Sequence, residues 1–157
     1  MQPIPENRRP IRRALLVALA SAPVWAVAGS GAQISVWKTP TCGCCKDWVK
    51  HLQDSGFEVA VHDVPDTSAV RQRNGIPNDY ASCHSARIDG YALEGHVPAT
   101  EIRRLLRERP DAVGLAVPGM PLGAPGMDGP EYGGRRLPYN VYLIERAGSA
   151  RVYQAYV

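Results

Sequence analysis

Bulky apolar residues change their spacing along this chain, and each change marks an element. Over residues 33–38, Ile34, Val36 and Trp37 predict a short strand, which Pro40 stops. From Cys44 the period lengthens: Cys45, Trp48, Val49 and Leu52 fall at i, i+3, i+4 and i+7, one face of a helix. Lys46, Asp47, Lys50 and Asp54 take the opposite face, and Gly56 supplies a C-terminal stop. Alternation returns over residues 57–62. Strand, helix and strand within about 30 residues make one βαβ unit, whose strands are expected to run parallel.

Residues 63–74 carry a weaker helical pattern that Gly75-Ile76-Pro77 closes. Residues 86–88 and 91–94 read as two strands joined at Asp89-Gly90, a strong hairpin signal. A second clear helix starts at Pro98, with Glu101 near its positive end and Arg103, Arg104, Arg107 and Arg109 toward its negative end. Its stripe is Ile102, Leu105 and Leu106, and Pro110 ends it. Residues 110–138 hold six Pro and seven Gly, which excludes regular structure over most of that stretch. Within it Pro118-Gly119-Met120 recurs as Pro125-Gly126-Met127. Residues 139–145 and 150–157 alternate again and predict a terminal β-hairpin. The order β-α-β-α-β-β-α, followed by the Pro/Gly-rich loop and the hairpin, is that of a thioredoxin-like α/β fold. One domain is expected over residues 33–157.

Composition adds a leader to this picture. A chain of 157 residues with 45% hydrophobic content suits one domain plus a tail. The net charge of +3 resides in residues 1–32, where four Arg oppose Glu6; residues 33–157 balance 14 cations against 14 anions. With no basic excess in the body of the chain, nucleic acid is not an expected partner. The N-terminus has the three parts of a secretory signal: Arg8-Arg9-Pro10-Ile11-Arg12-Arg13, an apolar run over residues 14–22, and small-residue cleavage positions after Ala28 or Ala32. The apolar stretch to Ala28 is shorter than the ~20 residues of a spanning helix and Pro23 interrupts it, so no stable span is expected after its removal; the alternative is an uncleaved N-terminal anchor. Export is expected to place the cysteines in an oxidising compartment, where disulfides are permitted.

Three of the four cysteines occupy Cys42-Gly43-Cys44-Cys45, between the first strand and the first helix. With Cys42 at the cap and the other two in the first turn, the unpaired N–H groups and the positive dipole end favour thiolate over thiol. Thiolate is both nucleophile and metal ligand. A dithiol oxidoreductase needs only Cys42 and Cys45, and the extra Cys44 would invite scrambling. Cys83, in Ser82-Cys83-His84, lies where the fold brings the third strand toward the helix start, and it completes a four-sulfur set. Soft thiolates select Cu(I), Zn or iron–sulfur species. Zn usually takes well-spaced Cys-x-x-Cys pairs, whereas a packed Cys-x-Cys-Cys favours bridged, low-coordinate Cu(I). Three readings stay open: a copper site, a thiol–disulfide oxidoreductase, and a structural zinc or disulfide module, for instance with Cys42–Cys45 and Cys44–Cys83 bridges.

Other donors are weighed against plainer roles. His84 joins the site if its segment is a loop and points away if it is a strand. His51 sits two turns beyond Cys44, ~10.5 Å along the helix axis, and reads as an exposed helix residue. His62 and His96 read as polar ends of strand-like runs. Met120 and Met127 offer thioethers, which suit Cu(I), but Met also fills gaps under loops. Trp37 and Trp48 read as core residues beside the site.

The segments Thr39-Pro40-Thr41-Cys42-Gly43-Cys44-Cys45-Lys46, Ser82-Cys83-His84, Glu94-Gly95-His96-Val97-Pro98-Ala99 and Gly114-Leu115-Ala116-Val117-Pro118-Gly119-Met120-Pro121 closely resemble the CopG-type copper-resistance family. So does the stretch from Phe57-Glu58-Val59 to Asp63-Val64. These are small exported bacterial proteins with a thioredoxin-like fold. The resemblance implies copper handling in the periplasm, copper ions and other periplasmic copper-handling proteins as partners, and Cys42, Cys44, Cys45 and Cys83 as metal ligands. It leaves open whether copper is stored, passed on or changed in redox state.

Overall fold

The computed structural model describes residues 33–157; the leader and its cleavage positions lie outside the described residues. The elements run β1 (Ile34–Lys38), α1 (Gly43–Asp54), β2 (Val59–Asp63), α2 (Ser68–Arg73), β3 (His84–Ile88), β4 (Tyr91–Glu94), α3 (Ala99–Glu108), β5 (Gly114–Ala116), β6 (Tyr139–Ile144) and β7 (Ala150–Tyr156). The strands form one mixed sheet in the order β2-β1-β3-β4-β5-β6-β7. β1 is parallel to β2 as the βαβ spacing predicts, while β3 runs antiparallel to both β1 and β4.

Side-chain alternation gives the sheet its two faces. Ile34, Val36, Ala86, Ile88 and Leu93 point to one side, where Trp48, Val49 and Leu52 of α1 and Ile102 and Leu105 of α3 cover them. This is the main core. Ala92, Ala116 and Ile144 point to the other side and meet Ile76 in a smaller cluster. Central strands are therefore buried on both faces, and every residue of β4 is buried. The β3–β4 turn is built as expected on Asp89 and Gly90, both at positive φ (47° and 87°), which matches the right-handed twist of the flanking strands.

Two expectations need correction. Trp37 is only half-buried: alternation sends Ile34, Val36 and Lys38 inward, so Trp37 lies on the opposite face. There its ring stacks on His62, its partner in the parallel register, with centroids 5.1 Å apart. The second concerns the Pro/Gly-rich stretch, which contains β5. Its three residues are all buried, parallel to β4 and antiparallel to β6. This short apolar insertion makes the terminal hairpin part of the sheet, giving seven strands where the periodicity predicts six. Among the described residues no helix is long and apolar enough to cross a membrane.

Candidate metal centre

Helix α1 begins where β1 ends, and its start carries three sulfurs. Cys42 is the N-cap residue, with extended backbone (φ −70°, ψ 105°) and no side-chain cap bond. The first turn contains no acidic residue, so the helix itself offers its positive end no carboxylate there. Lys38 closes β1 beneath this turn; its Nζ donates to Asp63 Oδ1 at 2.8 Å and to the Thr39 carbonyl at 3.2 Å. Helix periodicity turns Cys45 inward, where it is fully buried with Trp48 and Leu52, and leaves Cys44 partly exposed.

Cys42 and Cys45 are joined by a disulfide, with Cα atoms 5.4 Å apart, and Cys44 and Cys83 are free. The Cys44 Sγ lies 3.5 Å from Cys42 Sγ and 3.9 Å from Cys83 Sγ. All four sulfurs fall within 4.8 Å of one another. Cys83 thus meets the α1 turn from the segment before β3, although 38 residues separate it from Cys45. Burial, reinforced by the neighbouring Cys44, pushes the Cys83 thiol up to about 12.

Two histidines complete a second donor set around Cys83. His84 lies on β3, yet its Nδ1 is 3.2 Å from Cys83 Sγ. The strand sends its ring to the α1 side, where it packs 4.3 Å from the Trp48 ring. It is fully buried, and its Nε2 has no hydrogen-bond partner. Burial holds this imidazole well below its ordinary pKa, and the neighbouring His96 adds to that. His96 is the residue the sequence reading missed. Its Nε2 is 3.3 Å from Cys83 Sγ, and its Nδ1–H donates to the Pro125 carbonyl at 2.8 Å. That donation fixes the tautomer: the Nε2 lone pair faces the sulfur, as in a metal-ligating imidazole oriented from behind. Burial lowers the His96 pKa as well. A His at the end of a strand gives no periodic signal, and its role depends on a carbonyl 29 residues away.

The loop after β5 closes the site from outside. The Met120 Sδ lies 4.0 Å from Cys44 Sγ. Met127 is buried instead within the loop's own turn, where its backbone bonds Ala124 and Gly123; no hydrogen bond or sulfur contact among the described residues joins it to the cysteines. The second half of the Pro-Gly-Met echo serves the loop through Gly126. At φ +79°, a Cβ there would come 2.6 Å from the Cys44 carbonyl and 2.7 Å from the Trp48 nitrogen, so glycine lets the loop lie on α1. His51 is half-buried, with its Nε2 accepting the Ala99 N–H at 3.1 Å, and His62 stacks on Trp37. Neither joins the cluster.

Fold and site together define a mixed α/β protein with a cysteine cluster able to hold a metal. Residues 80–127 match the family described as "Protein of unknown function, DUF411", a span that contains Cys83, His84, His96 and Met120. Two solved structures are 49% identical to the chain. One, "Copper resistance protein copG- Form 2", covers 81% of this chain and 99% of its own, with a TM-score of 0.75. The other, "Copper resistance protein copG- Form 1", covers 80% and 98%, with a TM-score of 0.74. No curated protein matches. The chain belongs to the CopG copper-resistance family.

Proposed function

We propose that this protein is a periplasmic copper-binding protein of copper tolerance, holding Cu(I) through Cys42, Cys44, Cys45 and Cys83. His84, His96 and Met120 supply further donors. The observation that carries the proposal is the convergence of four sulfurs within 4.8 Å, with two buried imidazole nitrogens 3.2 and 3.3 Å from one of them. Thiolate, thioether and imidazole form a soft set suited to copper. A metal ion would also supply the positive charge that lets the buried Cys83 release its proton. The arrangement β2-β1-β3-β4, with β3 antiparallel and the cysteines at the β1–α1 junction, supports a thioredoxin-like frame to which β5, β6 and β7 are added. The basic and apolar leader supports export.

The Cys42–Cys45 disulfide favours a second reading, in which the site also exchanges electrons. Two electrons and two protons convert the disulfide to two thiols, which balances the oxidation of two Cu(I) to two Cu(II). A thiol–disulfide oxidoreductase would draw the same two electrons from a dithiol on a protein partner. The test uses protein without its leader, reduced and loaded with Cu(I) under anaerobic conditions, against a competing chelator. Stoichiometric copper in the wild type, lost in Cys44→Ser and Cys83→Ser, is the expected result. Unchanged binding in a variant with all four cysteines replaced by Ser would refute the site. Reduction of a test disulfide that needs Cys42 but no copper would shift the assignment to the oxidoreductase.

A further inference from the structure

Glu94, beneath the metal centre, is fully buried and belongs to none of its donor sets. A buried carboxylate persists only when donors compensate it, and here they come from three places. Its Oε1 accepts the Ser82 backbone N–H at 2.9 Å and Arg71 Nη1 of α2 at 3.3 Å, while its Oε2 accepts the Ser85 hydroxyl. The Glu94 carbonyl in turn accepts the Val117 N–H at 2.9 Å. One residue of β4 therefore holds both the segment leading to Cys83 and the segment leading to Met120.

Above Glu94 these two segments are tied to each other. The Ser82 hydroxyl donates to the Gly119 carbonyl, and the Gly119 N–H donates back to the Ala81 carbonyl at 2.9 Å. Ser82 precedes Cys83, Gly119 precedes Met120, and both following sulfurs approach Cys44, at 3.9 and 4.0 Å. Met120 is 53% exposed, too open for packing alone to fix its side chain, so its location depends on the backbone turn beneath it.

Building on the copper reading above, we propose that Ser82 is a positioning residue. Anchored by Glu94, it clasps the Pro118-Gly119-Met120 turn to the Cys83 segment and so sets the Met120 thioether against Cys44. Ser82 touches no metal itself; it acts through Met120, although its hydroxyl also lies 3.9 Å from Cys83 Sγ.

A double-mutant cycle with Ser82→Ala and Met120→Leu tests this. In chelator competition each single change weakens Cu(I) binding by roughly tenfold, the lower end for residues that orient ligands, and the double variant is no weaker than Met120→Leu. Losses that multiply, or a Ser82→Ala protein with wild-type affinity, overturn the clasp. A second measurement needs no copper: the methyl resonances of Met120 and Met127 in reduced, metal-free protein. Ser82→Ala moves Met120 toward its random-coil position and leaves Met127 in place. An unmoved Met120, or equal movement of both, overturns the proposal. Wild-type protein that binds no copper would sink the copper reading and the ligand-positioning role together, whereas binding with multiplicative losses sinks the clasp alone.

Discussion

Cys42, Cys44 and Cys45 reach the cluster on a single helical turn, whereas Cys83, His84, His96 and Met120 reach it from three separated segments. The first wall is local: a strand end, a cap and the 3.6-residue period decide which sulfur is buried and which is open. The second wall is assembled by long-range bonds, from Glu94 to Ser82, from His96 to Pro125 and from Ser82 to Gly119. Damage to the first wall should remove donors. Damage to the second should leave every donor in the chain but scatter them.

The largest effect on that contrast is expected at Glu94. Glu94→Ala strips Arg71 of its carboxylate, leaves the Ser82 N–H and the Ser85 hydroxyl without their acceptor, and opens a cavity on the face of the sheet toward Arg71. Breaking a buried pair from one side costs about 3–5 kcal/mol. Denaturant unfolding of the metal-free protein should show a loss of that size, and Cu(I) affinity should fall although all four cysteines remain. A loss below about 1 kcal/mol, the range of a surface ion pair, would mean that the second wall does not depend on this carboxylate.

Acid should separate the walls more gradually. Burial lowers the pKa of His84 and of His96, both on the second wall, and of His51, where Asp128 and Asp54 partly oppose the shift. An imidazole whose folded pKa lies below its unfolded value of about 6.5 binds its proton more readily once the chain unfolds. The stability it contributes is complete above about pH 6.5 and is lost as the pH falls toward the lowered folded values, at up to about 1.4 kcal/mol per pH unit for each such group. The thermal midpoint of reduced, metal-free protein should therefore fall between pH 7.5 and pH 5. Glu94, whose pKa burial raises, works in the opposite sense, so a flat or rising midpoint in a Glu94→Gln background would contradict the burial of these rings.

The same contrast explains what could be read from the chain. The α1 turn, the β3–β4 hairpin at Asp89-Gly90 and the amphipathic α3 are local patterns, and they appear within a few residues of where periodicity predicts them. β5 was hidden because three buried residues among prolines and glycines are too few to show a period. His84 was ambiguous because alternation on β3 gives the direction of its ring, but not the reach of Nδ1 back to Cys83. His96 reads as a plain polar residue in the sequence because its orientation comes from a loop carbonyl, which no spacing rule reports. Trp37 reads as core from its bulk alone, but strict alternation gives the inward place to Lys38 instead.

The smallest expected effect falls on the Pro-Gly-Met echo, where two identical tripeptides have come to opposite uses. Met120 is half exposed with its thioether at Cys44, while Met127 is buried among the residues of its own turn. Replacing Met127 by Leu keeps volume and apolar character, so stability should change by less than about 1.5 kcal/mol, and Cu(I) affinity should stay at the wild-type value. If Met127→Leu weakens copper as much as Met120→Leu does, both thioethers are donors and the loop must close further over the cysteines than it does here. Equal affinity in Met127→Leu and wild type, beside a loss in Met120→Leu, would assign metal binding to the first copy of the echo and packing to the second.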